Sequence, residues 1–279
     1  MTRVLVYDSF DDLRSRSIRF LQEASGLGEV HALLWSDAAV RRITGNSPRF
    51  PQEERLYVVQ SLRYVRSASV TGESIDPDAP PEGSLSGAGA WVTTEDRDSP
   101  GRRANAKSIG LDYRVLALKD LAGFPVESTP GRWKAAGARG AGSVRTVLVT
   151  GCFDWFHSGH VRFFEEASGL GALYVVVGND ANLRLLKGEG HPFFSQDERR
   201  YQAASVRFVW QALVATGTGW LDAEPEMRAI KPDIYVVNED GDKPEKREFC
   251  ANNGIRYVVL HRAPRPGLPL RTSTDLRGF

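Results

Sequence analysis

The sequence predicts an α/β protein of two tandem units, each a parallel sheet covered by helices on both faces. Three observations carry that prediction. The first is a segment that occurs twice. "YDSFDDLRSRSIRFLQEASGLG" (Tyr7–Gly28) and "TGCFDWFHSGHVRFFEEASGLG" (Thr150–Gly171) align without a gap, and about half of their positions are identical. The second is the persistence of order and spacing beyond that segment. "PQEERLYVVQSLRYV" (Pro51–Val65) resembles "SQDERRYQAASVRFV" (Ser195–Val209), "WVTTEDRDSPGRR" (Trp91–Arg103) lies over "YVVNEDGDKPEKR" (Tyr235–Arg247), and "GLDYRVLAL" (Gly110–Leu118) lies over "GIRYVVLHR" (Gly254–Arg262). The third is the alternation of strand and helix patterns within each unit, which favours a parallel sheet buried on both faces.

The later unit supports each element in turn. "RTVLVTG" (Arg145–Gly151) is a β-branched run ended by glycine, the pattern of a buried strand. "HVRFFEEASGLG" repeats apolar residues at helical spacing and stops at glycine. "LYVVVGND" (Leu173–Asp180) is a second buried strand. "SQDERRYQAASV" opens with a capping serine and an acidic first turn, so it starts a helix. "WQALVATGTGWLDAEPEMRAIKP" (Trp210–Pro232) reads as strand, loop and helix. "DIYVVN" (Asp233–Asn238) and "IRYVVL" (Ile255–Leu260) are further strands with a helix between them. In the earlier unit, "RSASVTGESIDPDAPPEGSLSGAGA" (Arg66–Ala90) is rich in Gly, Pro and Ser and predicts a long loop without regular structure. "KAAGARGAGSV" (Lys134–Val144) is small and polar and predicts a linker. The expected units are therefore residues 1–133 and 145–279, joined by 134–144.

Bulk composition narrows the classes. The chain has 279 residues and a formal net charge of +1, which argues against a surface built to coat a polyanion. The basic residues are too few and scattered to suggest nucleic-acid binding. No apolar run approaches a membrane span, and "MTRVLVYDSF" does not read as a signal peptide, so a cytoplasmic setting is expected. Cys152 and Cys250 lack the spacing of a metal pair and are expected as small core residues.

The chemistry concentrates at the turn after the first strand of the later unit. Parallel sheets bind ligands at the carboxyl ends of their strands, and His157 and His160 fall there. Gly159 lets a ligand approach the backbone. The following helix presents unpaired N–H groups and a positive dipole end, a ready phosphate site, and imidazoles beside it can donate to phosphate oxygens. A zinc site would need a third ligand, and none follows at suitable spacing.

"GCFDWFHSGH" resembles the GxFDxxHxGH signature of the cytidylyltransferase-like nucleotidyltransferases, whose units are Rossmann-like. "RTSTDLR" (Arg271–Arg277) is similar to that family's C-terminal Ser/Thr-rich motif. The resemblance covers the whole later unit and, weakened, the earlier one. It implies transfer of a nucleoside monophosphate from a triphosphate to a phosphorylated acceptor, with release of pyrophosphate. It assigns His157, His160, Lys187 and Arg199 to catalysis. It assigns Gly151, Cys152, Phe153, Asp154, Gly159, Asp240, Arg262, Thr272, Ser273 and Thr274 to nucleotide binding. Mg²⁺ is the implied cofactor, bridging the phosphate oxygens, and Asp154 could be a turn residue, orient a histidine or contact the ion. CTP is the expected donor, with ATP the alternative, and a small phosphorylated or phosphonate compound the expected acceptor. Trp155 and Phe156, with Asp154, are expected to border the acceptor pocket. A nucleotide-binding regulator without turnover is a further alternative.

The earlier copy lacks the donors. Arg14, Ser17 and Thr44 stand where His157, His160 and Lys187 stand in the later one, and Arg16 replaces Gly159. Arg55 and Asp96 are kept. The tandem arrangement resembles that of ethanolamine-phosphate cytidylyltransferases, except that the first copy has no signature here. A degenerate, non-catalytic first unit packed on the second as an intramolecular pseudo-dimer is expected, with a homodimer open.

Overall fold

A computed structural model of the chain describes residues 2–11, 13–84, 86–125, 144–274 and 276. It forms two compact units, Met1–Phe124 and Pro125–Phe279. The expected linker lies almost wholly outside the described residues.

The first unit runs β1 (Arg3–Asp8), α1 (Ser15–Ser25), β2 (Glu29–Leu34), α2 (Asp37–Thr44), α3 (Gln52–Gln60), β3 (Val65–Val70), β4 (Ala88–Thr94), α4 (Pro100–Ser108) and β5 (Asp112–Leu116). The second runs β6 (Thr146–Gly151), α5 (Ser158–Ser168), β7 (Ala172–Val177), α6 (Asp180–Lys187), α7 (Gln196–Ala204), β8 (Val209–Val214), α8 (Glu224–Ile230), β9 (Ile234–Asn238), α9 (Pro244–Asn252) and β10 (Arg256–Leu260). Each sheet has five strands, in the orders β3-β2-β1-β4-β5 and β8-β7-β6-β9-β10, and every pairing is parallel. The two orders are the same walk through the sheet.

Alternation along the strands explains the layers. In the second unit Val147, Val149, Leu173, Val175 and Val177 face α5 and α7 through Phe163, Phe164, Ala167 and Ala203. Their neighbours Leu148, Tyr174, Val176, Tyr235 and Val237 face α8 and α9 through Met227, Phe249 and Cys250. Each large apolar side chain so buried contributes about 1.5–3 kcal/mol. Both faces are covered, so the strands read as continuous apolar runs rather than alternating ones. Burial raises the Cys250 thiol to about 11, an inert core residue as expected, whereas Cys152 is only partly buried.

The repeated "EASGLG" has a backbone cause. Gly28 and Gly171 both have φ of 156°, and a Cβ there would sit 2.1 Å from Thr2 O and 2.2 Å from Arg145 O. Only glycine lets the chain pass so close to the start of the first strand. Another device also occurs in both units. Arg103 and Tyr113 bind the Asp98 carboxylate at 2.5 and 3.1 Å, and Arg247 and Tyr257 bind Asp242 at 2.5 and 3.0 Å.

The stretch Arg66–Ala90 departs from expectation at its ends. It contains most of β3 and the start of β4, and among the described residues the middle is irregular except for a 3₁₀ turn at Glu82–Ser84. That middle is tied down: Tyr7 donates to Asp76 O at 3.0 Å, Asn105 to Asp78 O at 2.9 Å, and Arg42 to Ile75 O. Ile75 is buried among the core side chains of this face. Among the described residues, the first unit has no helix matching α8.

Candidate active site at the edge of the second sheet

The chain leaves β6 toward β7 on one side and returns to β9 on the other. The crevice outside the carboxyl ends of β6 and β9 is therefore the topological switch point, where such sheets bind ligands. A cleft of about 410 Å³ opens there. Its walls carry Gly151, Cys152, Phe153, Gly159, His160, Lys187, Asp240, Arg262, Thr272, Ser273 and Thr274, residues spread over more than a hundred positions of sequence.

The loop after β6 is shaped by two aromatic residues in the left-handed region, Phe153 at φ 52° and Trp155 at φ 50°. Such conformations are unfavourable outside glycine and persist only where surroundings impose them. Phe153 is held edge-on to Phe164 with centroids 5.0 Å apart, and its ring lies where a Cβ on Gly151 would come within 2.8 Å. Asp154 fixes the far side. Its Oδ2 accepts from Phe193 N at 2.9 Å and its Oδ1 from Phe194 N at 3.0 Å, and it is buried.

His157 caps α5. Its Nδ1 accepts from Gly159 N at 3.0 Å, which places the proton of the neutral ring on Nε2. A Cβ on Gly159 would meet the His157 ring at 2.8 Å, so the glycine is required by its own cap. His157 is buried behind the cleft wall, while His160 lines the cleft. The two imidazoles stack at 3.9 Å. His160 also meets Phe153 at 5.4 Å and Phe156 at 5.6 Å, and its Nδ1 has no hydrogen-bond partner among the described residues. Burial, then His157, Arg262 and Lys187, hold the His160 pKa well below the ordinary imidazole value, so the ring is neutral near pH 7.

The cations reach the cleft by different routes. Lys187 ends α6 and makes no hydrogen bond or ion pair among the described residues. Arg262 donates to Asp240 Oδ2 at 2.7 Å and to Arg271 O at 3.0 Å. Ser273 donates to Asp154 O at 2.7 Å, which locks the C-terminal segment against the histidine loop. That segment is a turn; no helix follows it among the described residues.

Three expectations are corrected. Arg199 is fully buried and does not line the cleft. It donates to Phe194 O at 2.9 Å, Cys152 O at 2.6 Å, Gly178 O at 2.8 Å and Asp180 Oδ1 at 2.7 Å, so four of its five N–H donors are committed to the protein interior. Asp154 has its carboxylate engaged by two loop amides and does not line the cleft, so it tethers the loop. Trp155 stacks on Phe193 at 4.7 Å outside the cleft lining, and Phe156 is not among the lining residues either. Trp220, which is half exposed, lines the cleft beside the buried rings of Phe153 and Phe163. Asn182, Asp222 and Lys246 also line it and were missed. The signal was topological: the loop after β8 and the start of α9 lie at the same carboxyl edge.

The same edge of the first sheet bears a cleft of about 570 Å³. Arg55 repeats the web of Arg199, donating to Phe50 O at 2.9 Å, Asp37 Oδ1 at 2.7 Å and Ser9 O. Asp11 repeats Asp154, accepting from Arg49 N at 3.0 Å and Phe50 N at 3.2 Å. Arg16 reaches Asp96 at 2.9 Å and Arg97 reaches Asp8 at 3.4 Å, so charges at this cleft neutralise one another.

Comparison with known proteins agrees with this geometry. The cytidylyltransferase-like family matches residues 148–270. FAD synthase of Aciduliprofundum boonei is 35% identical over 117 residues, 41% of this chain and 75% of that protein. Bifunctional protein HldE of Pseudomonas fluorescens is 35% identical over 141 residues, half of this chain but only 27% of its own length. The crystal structure of the lipopolysaccharide core biosynthesis protein from Thermoplasma volcanium superposes with a TM-score of 0.37 at 25% identity, covering 44% of this chain and 99% of that one. With the histidine loop, Lys187 and Arg262 inside the matched span and the Ser/Thr turn directly after it, the chain belongs to the cytidylyltransferase-like family.

Proposed function

We propose that the second unit transfers a nucleoside monophosphate from a nucleoside triphosphate to a small phosphorylated or phosphonate acceptor, releasing pyrophosphate. The observation that carries this reading is the convergence of His160, Lys187, Arg262, Ser273 and Thr274 on one cleft at the N-terminal end of α5. A phosphate monoester is largely dianionic near pH 7, so the acceptor attacks the α-phosphorus without a general base. The site has to align the two phosphates and stabilise charge as it moves to the leaving oxygens. Neutral His160 donates a hydrogen bond to the α-phosphate. As negative charge gathers there, the imidazole becomes easier to protonate and the hydrogen bond strengthens. Lys187 and Arg262 hold phosphate oxygens, and the Thr272–Thr274 turn receives the leaving pyrophosphate. His157 acts behind them by capping α5 and fixing its own tautomer.

Mg²⁺ fits as a companion of the substrate. No cluster of three His, Cys, Asp or Glu side chains suited to a metal occurs among the described residues, and Asp240 is paired with Arg262. An ion held through phosphate oxygens and water suits such a donor set, and it would neutralise the triphosphate.

CTP is the donor expected from the sequence. ATP is the second reading, supported by the match to a FAD synthase, a relative named for making an adenine dinucleotide. Trp220 and the Asp222–Lys246 wall are the surface available for the rest of the acceptor. The first unit, with the same strand order, the same tethers and self-paired charges, is the degenerate partner, and one nucleotide binds per chain. Titrating CTP and ATP with Mg²⁺ into wild type and His160→Ala tests the reading: the preferred nucleotide binds to wild type and at least tenfold more weakly to the variant. Binding of neither to the folded protein refutes it.

A further inference from the structure

Two charged side chains of the cleft are not used in the phosphate-side reading. Lys246, in the first turn of α9, is buried. It donates from Nζ to Gly241 O at 3.1 Å and lies 6.0 Å from the Tyr235 ring. Asp222 follows β8 and accepts from Asn182 Nδ2 at 3.1 Å through Oδ2. A Cβ on Gly178 would meet that same oxygen at 3.1 Å, so the carboxylate is pressed against the end of β7. Asn182 is itself buried and clamps the loop before Asp222, donating to Gly219 O at 3.1 Å and accepting from Gly219 N at 2.7 Å.

Burial pushes the Asp222 carboxyl up and the Lys246 ammonium down, and each charge partly offsets the other. Yet no Lys246–Asp222 ion pair forms within 4.0 Å. Two opposite charges thus stand on one wall without pairing, each with hydrogen-bonding capacity left over. An ammonium has three donors and one is taken; a carboxylate has about four acceptor sites, and Asp222 fills two, with Asn182 Nδ2 and the Ala223 amide. Desolvated polar groups of this kind are stabilised when a ligand supplies the missing partners. A phosphate or carboxylate would be drawn to one and repelled by the other, and an ammonium likewise. A hydroxyl, which donates and accepts at once, satisfies both.

We propose that Asp222 and Lys246 jointly read a substrate hydroxyl, which donates to the carboxylate and accepts from the ammonium. The inference rests on the nucleotidyltransferase reading and names a chemical requirement of its substrates. The ribose of the donor and an alcohol of the acceptor both supply such a group, and the test separates them.

The full chain is titrated calorimetrically with ATP and CTP and with their 2′-deoxy and 3′-deoxy forms. It is then titrated, with a non-hydrolysable triphosphate analogue bound, with glycerol 3-phosphate and with propyl phosphate, which keeps the length and phosphate but lacks both hydroxyls. In one of these comparisons wild type loses about 10- to 100-fold in affinity when the hydroxyl is removed, the range of a hydrogen bond to a charged group. Asp222→Asn and Lys246→Met each bring that pair to within about twofold while binding of the hydroxyl-free member is unchanged. A loss with deoxynucleotides assigns the ribose; a loss with propyl phosphate assigns the acceptor. The wild-type comparison stands even if a variant fails to fold. Equal binding, or equal absence of binding, within every wild-type pair overturns the inference, as does a preference that survives both substitutions. If a nucleotide binds in those cases, the functional reading stands without it; if no nucleotide binds, both fall.

Discussion

Replacing Arg199 with methionine should destabilise the second unit severely and leave the nucleotide affinity of the folded protein nearly unchanged. The side chain is fully buried, and its four hydrogen bonds reach Phe194 O, Cys152 O, Gly178 O and the Asp180 carboxylate at 2.6–2.9 Å. Methionine keeps much of the volume and none of the donors. At about 1.5–3 kcal/mol for each hydrogen bond to a charged group, a plain sum would be about 6–12 kcal/mol. That overcounts, because the desolvation of the guanidinium is relieved with it; breaking a buried charge pair costs about 3–5 kcal/mol. A loss near 4 kcal/mol is at least a quarter of the stability of an ordinary domain, about 5–15 kcal/mol. With a urea m-value of about 2 kcal/mol/M, the midpoint of the second unit falls by about 2 M. The chain has two compact units, so two transitions are to be resolved, and Arg55→Met should displace the other one. A midpoint unchanged in Arg199→Met together with a tenfold loss of nucleotide affinity would refute the reasoning and return the guanidinium to the ligand.

Four further outcomes are expected. Gly159→Ala puts a Cβ 2.8 Å from the His157 ring, displaces the cap at a cost of about 1 kcal/mol, and weakens nucleotide binding; thermal unfolding and calorimetry read both. Lys187→Ala weakens triphosphate binding by about 10- to 100-fold without moving the urea midpoint, since the side chain is exposed and makes no hydrogen bond or ion pair among the described residues. His160 has a folded pKa well below the unfolded value of about 6.5. Its contribution is therefore complete above that pH and is lost as pH falls below it, because the unfolded chain takes up a proton that the fold refuses; urea unfolding of His160→Gln across the acid range should show a shallower pH dependence than wild type. Finally, calorimetry should give one nucleotide per chain, and a second site of comparable affinity would show that the Arg16–Asp96 and Arg97–Asp8 pairs do not close the first cleft.

Much of the fold was legible because periodicity and punctuation agree locally. β-branched runs ended by glycine became β6 and β7, and Ser195 caps α7 by accepting from Glu198 N as the acidic first turn implied. What was not legible is burial of charge. Nothing in "SQDERR" distinguishes Arg199, fully buried, from a solvent-facing helix arginine; the distinction comes from three carbonyls that arrive from β6, β7 and the loop before α7. Lys187 lies at the end of α6, a short helix capped by Asn179 that the strand-and-helix pattern of the second unit does not reveal. Asp222 and Lys246 lack any motif, and only the sheet order brings them to the cleft.

The two units supply an internal control that a single copy could not. Positions to which the proposed chemistry assigns donors differ between the two units, while positions that set the loop's shape are the same. Asp154 and Asp11, and Arg199 and Arg55, make matching contacts in both units although Arg14, Ser17 and Thr44 have replaced the histidines and the lysine in the first. Phe10 keeps the left-handed conformation of Phe153, at φ 50° and 52°. The aspartate of the signature and the arginine of α7 are therefore scaffolding for the turn on which a site can be built. His160 and Lys187, present only where the cleft keeps unpaired charge, are the residues on which activity should depend. Gly159 belongs with them for a different reason. Its counterpart Arg16 turns the open phosphate turn into an ion pair with Asp96, so one substitution fills the place where a ligand would approach the helix and neutralises the acid beside it.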